Sequence, residues 1–281
     1  MGVEVGDVDS LTDYAARLFY LGESYHGSQY QPGLKTIQGE LIRALSEWSG
    51  TPHSTKTVRL CGRTDKGVHS LGQIVVISTG RSLDINRVNR FLPDDIILWA
   101  SAKSPHSFQP RYSALMRHYR YFLDESWHDT DLSSVRLSIT HLIGCHDFEL
   151  FSKPEPGRNT TTTVLNAAIG SVHGIQYLEL FGTSFLWKFV RKLVTILYEV
   201  GLGNVEPTIV TDLLNRDQSA FSSGIQPAPP EGLFLIETVV PFRLTSNKYA
   251  VSRLRKHLNK RISFFRRSET AYSAVLEQIT T

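Results

Sequence analysis

The chain has 281 residues, of which 41% are hydrophobic, 10% aromatic and 20% charged. These proportions exclude a collagen, a disulfide-stapled miniprotein and a disordered chain, and they leave room for one large domain or two of moderate size. The formal net charge of +3, from 30 Lys+Arg against 27 Asp+Glu, by itself points neither toward nor away from a polyanion.

The opening MGVEVGDVDS carries Glu4, Asp7 and Asp9 but no Lys or Arg, so it lacks the basic start and apolar stretch of a secretory signal. Gly6 stands where a myristoylation signal needs Ser or Thr. With two cysteines, Cys61 and Cys145, there is no disulfide framework, and a reduced, cytoplasmic protein is expected. No apolar run reaches the ~18 residues of a membrane helix. Residues 15–21 (AARLFYL) read as a strand and the Gly/Tyr/Gln-rich stretch 22–35 as a loop. Thr36 is an N-cap for a helix over 37–48, whose apolar side carries Ile37, Leu41, Ile42, Leu45 and Trp48. Strands at 57–61 and 73–79 flank a glycine-bounded loop, 62–72 (GRTDKGVHSLG). A helix over 84–91, stopped by Pro93, and a strand over 95–103 follow.

Pro105 and Pro110 mark a boundary. Beyond it, 117–123 (RHYRYFL) alternates as a strand, with Arg117, Tyr119, Tyr121 and Leu123 on one face. A helix near 131–143, strands near 160–172 and 175–182, a long helix over 184–201 ended by Gly201, a shorter helix over 207–216 and a strand over 232–240 complete the body. Such a mixture predicts an α+β protein of two sheet-plus-helix halves, 1–105 and 106–242, rather than a doubly wound fold. Residues 243–281 form a basic extension with nine Lys/Arg and two acids, so the total charge is the sum of a −4 body and a +7 tail. Interleaved Tyr249, Phe264 and Phe265 suit a polyanion partner. Leu254, Leu258, Ile262 and Phe265 recur at helical spacing, which equally suits a helix packed on the body.

The loop GRTDKG has the G-x-x-x-x-G spacing of a phosphate loop, but Val68-His69 replaces its Lys-Ser/Thr, so that reading is rejected. What remains is Asp65 between Arg63 and Lys66 on a tight turn at a strand end. Neighbouring cations favour the ionised carboxylate, which suits nucleophilic or general-base work. A turn aspartate capping its own loop is the bland alternative. His141, Cys145 and His146 could share a helix face, yet no further ligand stands at a recognised metal spacing. There is no G-x-S-x-G elbow and no dinucleotide fingerprint, so the chemistry reads as free of metal and cofactor. The Arg/Tyr-rich stretch 111–123 can stack bases and grip phosphates, or form a half-buried strand. Arg191, set among apolar residues of the long helix, calls for an anionic partner, and Asp65 is one candidate.

Seven segments, in order, resemble the TruA family of tRNA pseudouridine synthases: 19–44, CGRTDKGVHSLGQIV (61–75), VNRFLPDDI (88–96), FQPRYSALMRHYRYFL (108–123), GCHDFELF (144–151), SFLWKFVRKLVTILYEVG (184–201) and PEGLFL (230–235). Of these, 61–75 is the most specific, resembling the family's G-R-T-D-x-G-V-H. The resemblance implies that Asp65 is the essential catalyst, that Arg63 holds the flipped nucleotide or fills the space it leaves, that Tyr119 packs against the target uracil, and that Arg191 ion-pairs with Asp65. It implies ferredoxin/RRM-like halves merged into one mainly antiparallel sheet with a central RNA-binding cleft. It further implies a homodimer and, as substrate, the anticodon stem-loop of tRNA at nucleotides 38–40. Tyr20-Leu21-Gly22 and Gly27-Ser28-Gln29 replace the frequent Y-D-G and G-W-Q, 152–160 is only roughly similar, and 243–281 lies outside the resemblance. A non-catalytic RNA-binding protein on the same scaffold and a metal-dependent hydrolase built on His141, Cys145 and His146 are the competing readings.

Overall fold

The computed structural model describes residues 11–280, so the reading of MGVEVGDVDS falls outside it. Strand β1 (Thr12–Tyr20) sits between two neighbours and is covered on both faces. Ala16, Leu18 and Tyr20 enter one core while Ala15 and Phe19 enter others, so its apolar run is nearly continuous rather than alternating. The remaining strands are β2 (Val58–Leu60), β3 (His69–Thr79), β4 (Ile96–Lys103), β5 (Met116–Phe122), β6 (Gly144–Asp147), β7 (Thr161–Val172), β8 (Ile175–Gly182), β9 (Leu233–Val239) and β10 (Thr245–Ser246). Among the described residues they form one ten-stranded sheet in the order β10-β4-β1-β3-β9-β5-β8-β7-β6, with β2 paired to β3. Every pairing is antiparallel except β3 with β9, which run parallel through His69↔Phe234 and Ser70↔Leu235. That seam requires Gly72, where a Cβ would lie 2.4 Å from the Ile236 carbonyl oxygen. The mixed α+β class expected from the sequence is thus observed, with a mostly antiparallel sheet.

Helix α1 (Ile37–Ser49) starts at Thr36, whose side chain accepts from the Gly39 N–H at 3.2 Å, and ends at Gly50 in the left-handed region. With α2 (Ile85–Val88) it covers a core built on Leu41, Leu45, Val75 and Leu98. A short helix, α3 (Pro110–Ser113), precedes β5. The second large core lies under α4 (Leu132–Thr140), α5 (Phe189–Gly201) and α6 (Ile209–Leu214), around Phe148, Leu180, Phe189, Leu193 and Val210. Helix α7 (Lys248–Thr280) has 33 residues and is therefore about 50 Å long. Ala250, Leu254 and Leu258 pack it on Phe19 and Ile97 of the sheet and on Leu21 just beyond β1, whereas Ile262, Phe264 and Phe265 stay largely exposed. The packed-helix reading of the tail thus describes the half that carries Ala250, Leu254 and Leu258, whereas Ile262 and Phe265, expected on the packed side, are exposed. Among the described residues no helix is long and apolar enough to cross a membrane.

Four boundaries differ from expectation. Strand β3 starts at His69, not 73, because Ser70 pairs with Tyr20 and Leu235 from distant segments. Helix α2 stops at Val88 because Asn89 turns inward, its side chain donating to the Leu98 carbonyl at 2.8 Å and accepting from the Leu98 N–H at 2.9 Å. Helix α5 begins at Phe189, not 184, since Lys188 is left-handed (φ 65°) and the Trp187 carbonyl accepts from the Lys153 N–H at 2.8 Å. Finally, His141 ends α4 while Cys145 and His146 lie on β6 against β7, so the supposed shared helix face does not exist. The His146 ring meets the Ile143 carbonyl at 3.1 Å, and no group of three His, Cys, Asp or Glu among the described residues could hold a metal.

Candidate active site

The loop between β2 and β3 is held by buried hydroxyls. The Ser28 side chain accepts from the Thr64 N–H at 2.8 Å, the Ser28 N–H donates to the Thr64 carbonyl at 3.1 Å, and the Tyr20 hydroxyl meets Thr64 Oγ1 at 2.8 Å. Burial pushes the Tyr20 phenol up to about 12, so it remains a neutral hydrogen-bonding group through the ordinary pH range. The Val68 N–H closes the turn on the Asp65 carbonyl at 3.2 Å. Asp65 thus sits on backbone fixed from both sides, which suits a side chain that must hold its position.

The Asp65 carboxylate accepts from Arg191 Nη1 at 3.2 Å. Arg191 lies in the first turn of α5, and its Nε donates to the Ala228 carbonyl at 2.6 Å while its own carbonyl accepts from the Ala228 N–H at 3.0 Å. The side chains are 12% and 20% exposed, so the pair is less screened than a surface ion pair yet keeps a path to solvent. Tyr119, on β5, is buried and meets Phe185 edge-on at 5.2 Å. Desolvation raises its phenol well above the usual range, so it presents a neutral ring. Arg63 is half-exposed and pairs with Glu155 at 3.3 Å, and Glu155 also binds Arg158. Arg117 ties the loops together by donating to the carbonyls of Cys61 (3.2 Å), Arg111 (3.1 Å) and Thr183.

Asp65, Arg63, Tyr119 and Arg191 all line one open cavity of about 1860 Å³. Small-molecule sites span roughly 300–1,000 Å³, so this one is sized for a part of a macromolecule. Phe185, Glu155 and the Ala228 carbonyl also shape the site and were not singled out from sequence. Phe185 was hidden by its assignment to a helix, and Glu155 lies in the segment least like the family.

His69 supports the loop from behind. Its Nδ1 accepts from the Gly22 N–H at 3.0 Å, and its ring lies 4.6 Å from Phe234. A Cβ on Gly22 would come 2.2 Å from the Val68 carbonyl oxygen, so this approach is open only to glycine. Burial lowers the His69 pKa from 6.5, which keeps the ring neutral and able to accept. A depressed folded-state value means that this contribution to stability is complete above about 6.5 and is lost as pH falls through the folded-state pKa. The melting temperature should therefore fall more between pH 7 and pH 5 in the parent than in His69→Asn; equal falls would remove His69 from the acid response.

The sequence profile of a family described as tRNA pseudouridine synthase matches residues 139–239. The chain is 40% identical over 225 residues to the tRNA pseudouridine synthase A of Methanosarcina acetivorans, covering 79% of this chain and 82% of that one. It is 35% identical over 270 residues to the protein of that name from Methanosarcina mazei (94% and 97% covered), and 34% over 271 residues to that of Methanothermobacter thermautotrophicus (94% and 95%). A solved Cbf5–Nop10–Gar1 complex aligns over 67% of this chain and 53% of that one at 8% identity, with a TM-score of 0.32, which is too low to carry an argument. On the strength of these relatives, the chain belongs to the TruA family of tRNA pseudouridine synthases, which are isomerases.

Proposed function

We propose that this protein isomerises uridine to pseudouridine in the anticodon stem-loop of tRNA, at nucleotides 38–40, with the Asp65 carboxylate as its single essential catalyst. The observation that carries this reading is the Asp65–Arg191 pair at 3.2 Å in a large open cavity that Tyr119 and Arg63 also line. The reaction breaks the C1′–N1 bond and remakes it as C1′–C5. The base must leave the stack, at a cost of a few kcal/mol, and the freed uracil must turn without escaping. Asp65 supplies the anion, either by adding to uracil C6 or by acting at the sugar on the way to a glycal. Tyr119, edge-packed on Phe185, confines the detached ring. Arg191 orients the carboxylate, and Arg63, at the mouth, holds the flipped nucleotide or the gap it leaves. Isomerisation has no net redox change and transfers no outside group, so the reading includes no cofactor.

The same reading includes two sheet-plus-helix halves, 1–105 and 106–242, meeting at the β3–β9 seam with the cleft between them. A homodimer and a cytoplasmic setting belong to it through the family. The test is to incubate the protein with an unmodified tRNA transcript and map pseudouridines. Modification at 38–40 is expected. Modification only elsewhere overturns the position, and tight, salt-dependent binding without any isomerisation would favour the non-catalytic RNA-binding alternative.

A further inference from the structure

Four large aromatic side chains stand exposed around the Asp65 cavity, each from a different segment. Tyr30 (44% exposed) comes from the loop before α1, Tyr112 (85%) from α3, Trp187 (38%) from the turn before α5 and Phe265 (51%) from α7. A single exposed aromatic is ordinary, but four converging on one opening is not explained by packing, and none of them belongs to a hydrophobic core.

The charge between them has one sign in excess. Lys66, Arg111 and Lys188 line the same cavity and form no ion pair among the described residues. Two rings are themselves backed by cations: Lys153 Nζ lies 4.1 Å from the Trp187 ring centre and the Arg261 guanidinium 4.7 Å from that of Phe265. Arg261 also binds Glu23 of the cavity-lining loop, which seats α7 against the edge of the opening. Aromatic faces alternating with unpaired cations are what unpaired nucleotides need, because every base has a π-face and every linkage a phosphate. An apolar peptide would not call for the cations, and a paired duplex would not expose base faces to the rings.

We infer that this rim seats the nucleotides flanking the target uridine in an unpaired state, stacked on Tyr112, Trp187 and Phe265, and that α7 contributes one wall of the RNA site. The inference rests on the synthase reading and deepens it: the substrate is RNA whose target has unpaired neighbours, or neighbours that open on binding. Recognition at those neighbours is by stacking and therefore tolerant of base identity.

The test uses the full-length protein and an unmodified tRNA transcript. Tyr112→Ala, Trp187→Ala and Phe265→Ala should each raise the tRNA Kd about five- to a hundred-fold. The slope of log Kd against log salt should stay unchanged, because no phosphate contact is lost. Tyr112→Phe and Phe265→Tyr should restore parental affinity. The inference is overturned if the alanine variants bind within about two-fold of the parent, or if the aromatic replacements fail to restore binding. Tyr112 is so exposed that its variants cannot be dismissed as unfolded. Tritium release from C5-tritiated uridine is measured on the parent in parallel. Release with unaffected binding in the variants sinks the rim alone, while rim-dependent binding without release sinks the synthase reading alone.

Discussion

Asp65→Asn should stop isomerisation, lowering the single-turnover rate at saturating protein by at least about a thousand-fold, the scale expected when an essential acid–base or nucleophilic group is lost. The change is nearly isosteric. An amide oxygen can still accept from Arg191, now 3.2 Å from the carboxylate, so the loop clamped by Ser28, Thr64 and Tyr20 should keep its place. Affinity for tRNA should change little, since the carboxylate makes no favourable contact with phosphate and its loss removes one negative charge from the cavity. Tritium release from C5-tritiated uridine in tRNA, measured beside a filter-binding titration, separates the two effects. A variant that retains substantial release would end the case for Asp65 as the catalyst; one that neither binds nor releases would point to a collapsed loop.

Arg191→Ala should have the next largest effect, a fall of about a hundred-fold or more in the single-turnover rate. Two losses combine. The Asp65 carboxylate is left in a partly shielded site without its ion-pair partner, and the Ala228 carbonyl loses the Nε donor at 2.6 Å that ties α5 to the chain entering β9. Removing one partner of a shielded pair costs more than the pair itself is worth, because the remaining charge is left uncompensated. Arg191→Lys should recover only part of the rate, as a lysine ammonium cannot reach the carboxylate and the carbonyl from one planar group. Added guanidinium or a small alkylguanidine should restore a measurable part of the Arg191→Ala rate. Failure of that rescue, with a melting temperature close to the parent's, would mean that Arg191 does not act through Asp65.

The local pattern of residues marked nearly every element but placed some ends wrongly. Thr36 and Gly50 bracket α1 with side-chain and backbone chemistry that lies within the helix's own sequence, so that helix was legible. The start of α5 was not. Ser184 to Lys188 continue the apolar spacing of the helix, yet contacts from Thr162 and Lys153 hold them in a turn and place Phe185 beside Tyr119. Strand β6 (Gly144–Asp147) has no counterpart among the elements expected from sequence, because its pairing with β7 is not local. The tail shows the same limit: spacing predicted helix, but only contact with Phe19 and Ile97 separates the packed half from the exposed one.

The sequence by itself determined the α+β class, the GRTDKGVH loop with its aspartate, and the family that the seven segments resemble. Arg63 stood out as a cation beside Asp65 and Arg191 as a cation in an apolar setting, while the resemblance supplied their roles and that of Tyr119. Only the tertiary structure decided that they share a cavity and which atoms meet. Asp65 and Arg191 are separated by 126 positions, and no periodicity relates them. They meet because the parallel β3–β9 pairing joins the strands over the two large cores and brings the turn before β3 against the first turn of α5. The exposed aromatics and the seat of α7 on Glu23 are likewise tertiary facts, since exposure and convergence are set by what a segment fails to pack against as much as by its own residues.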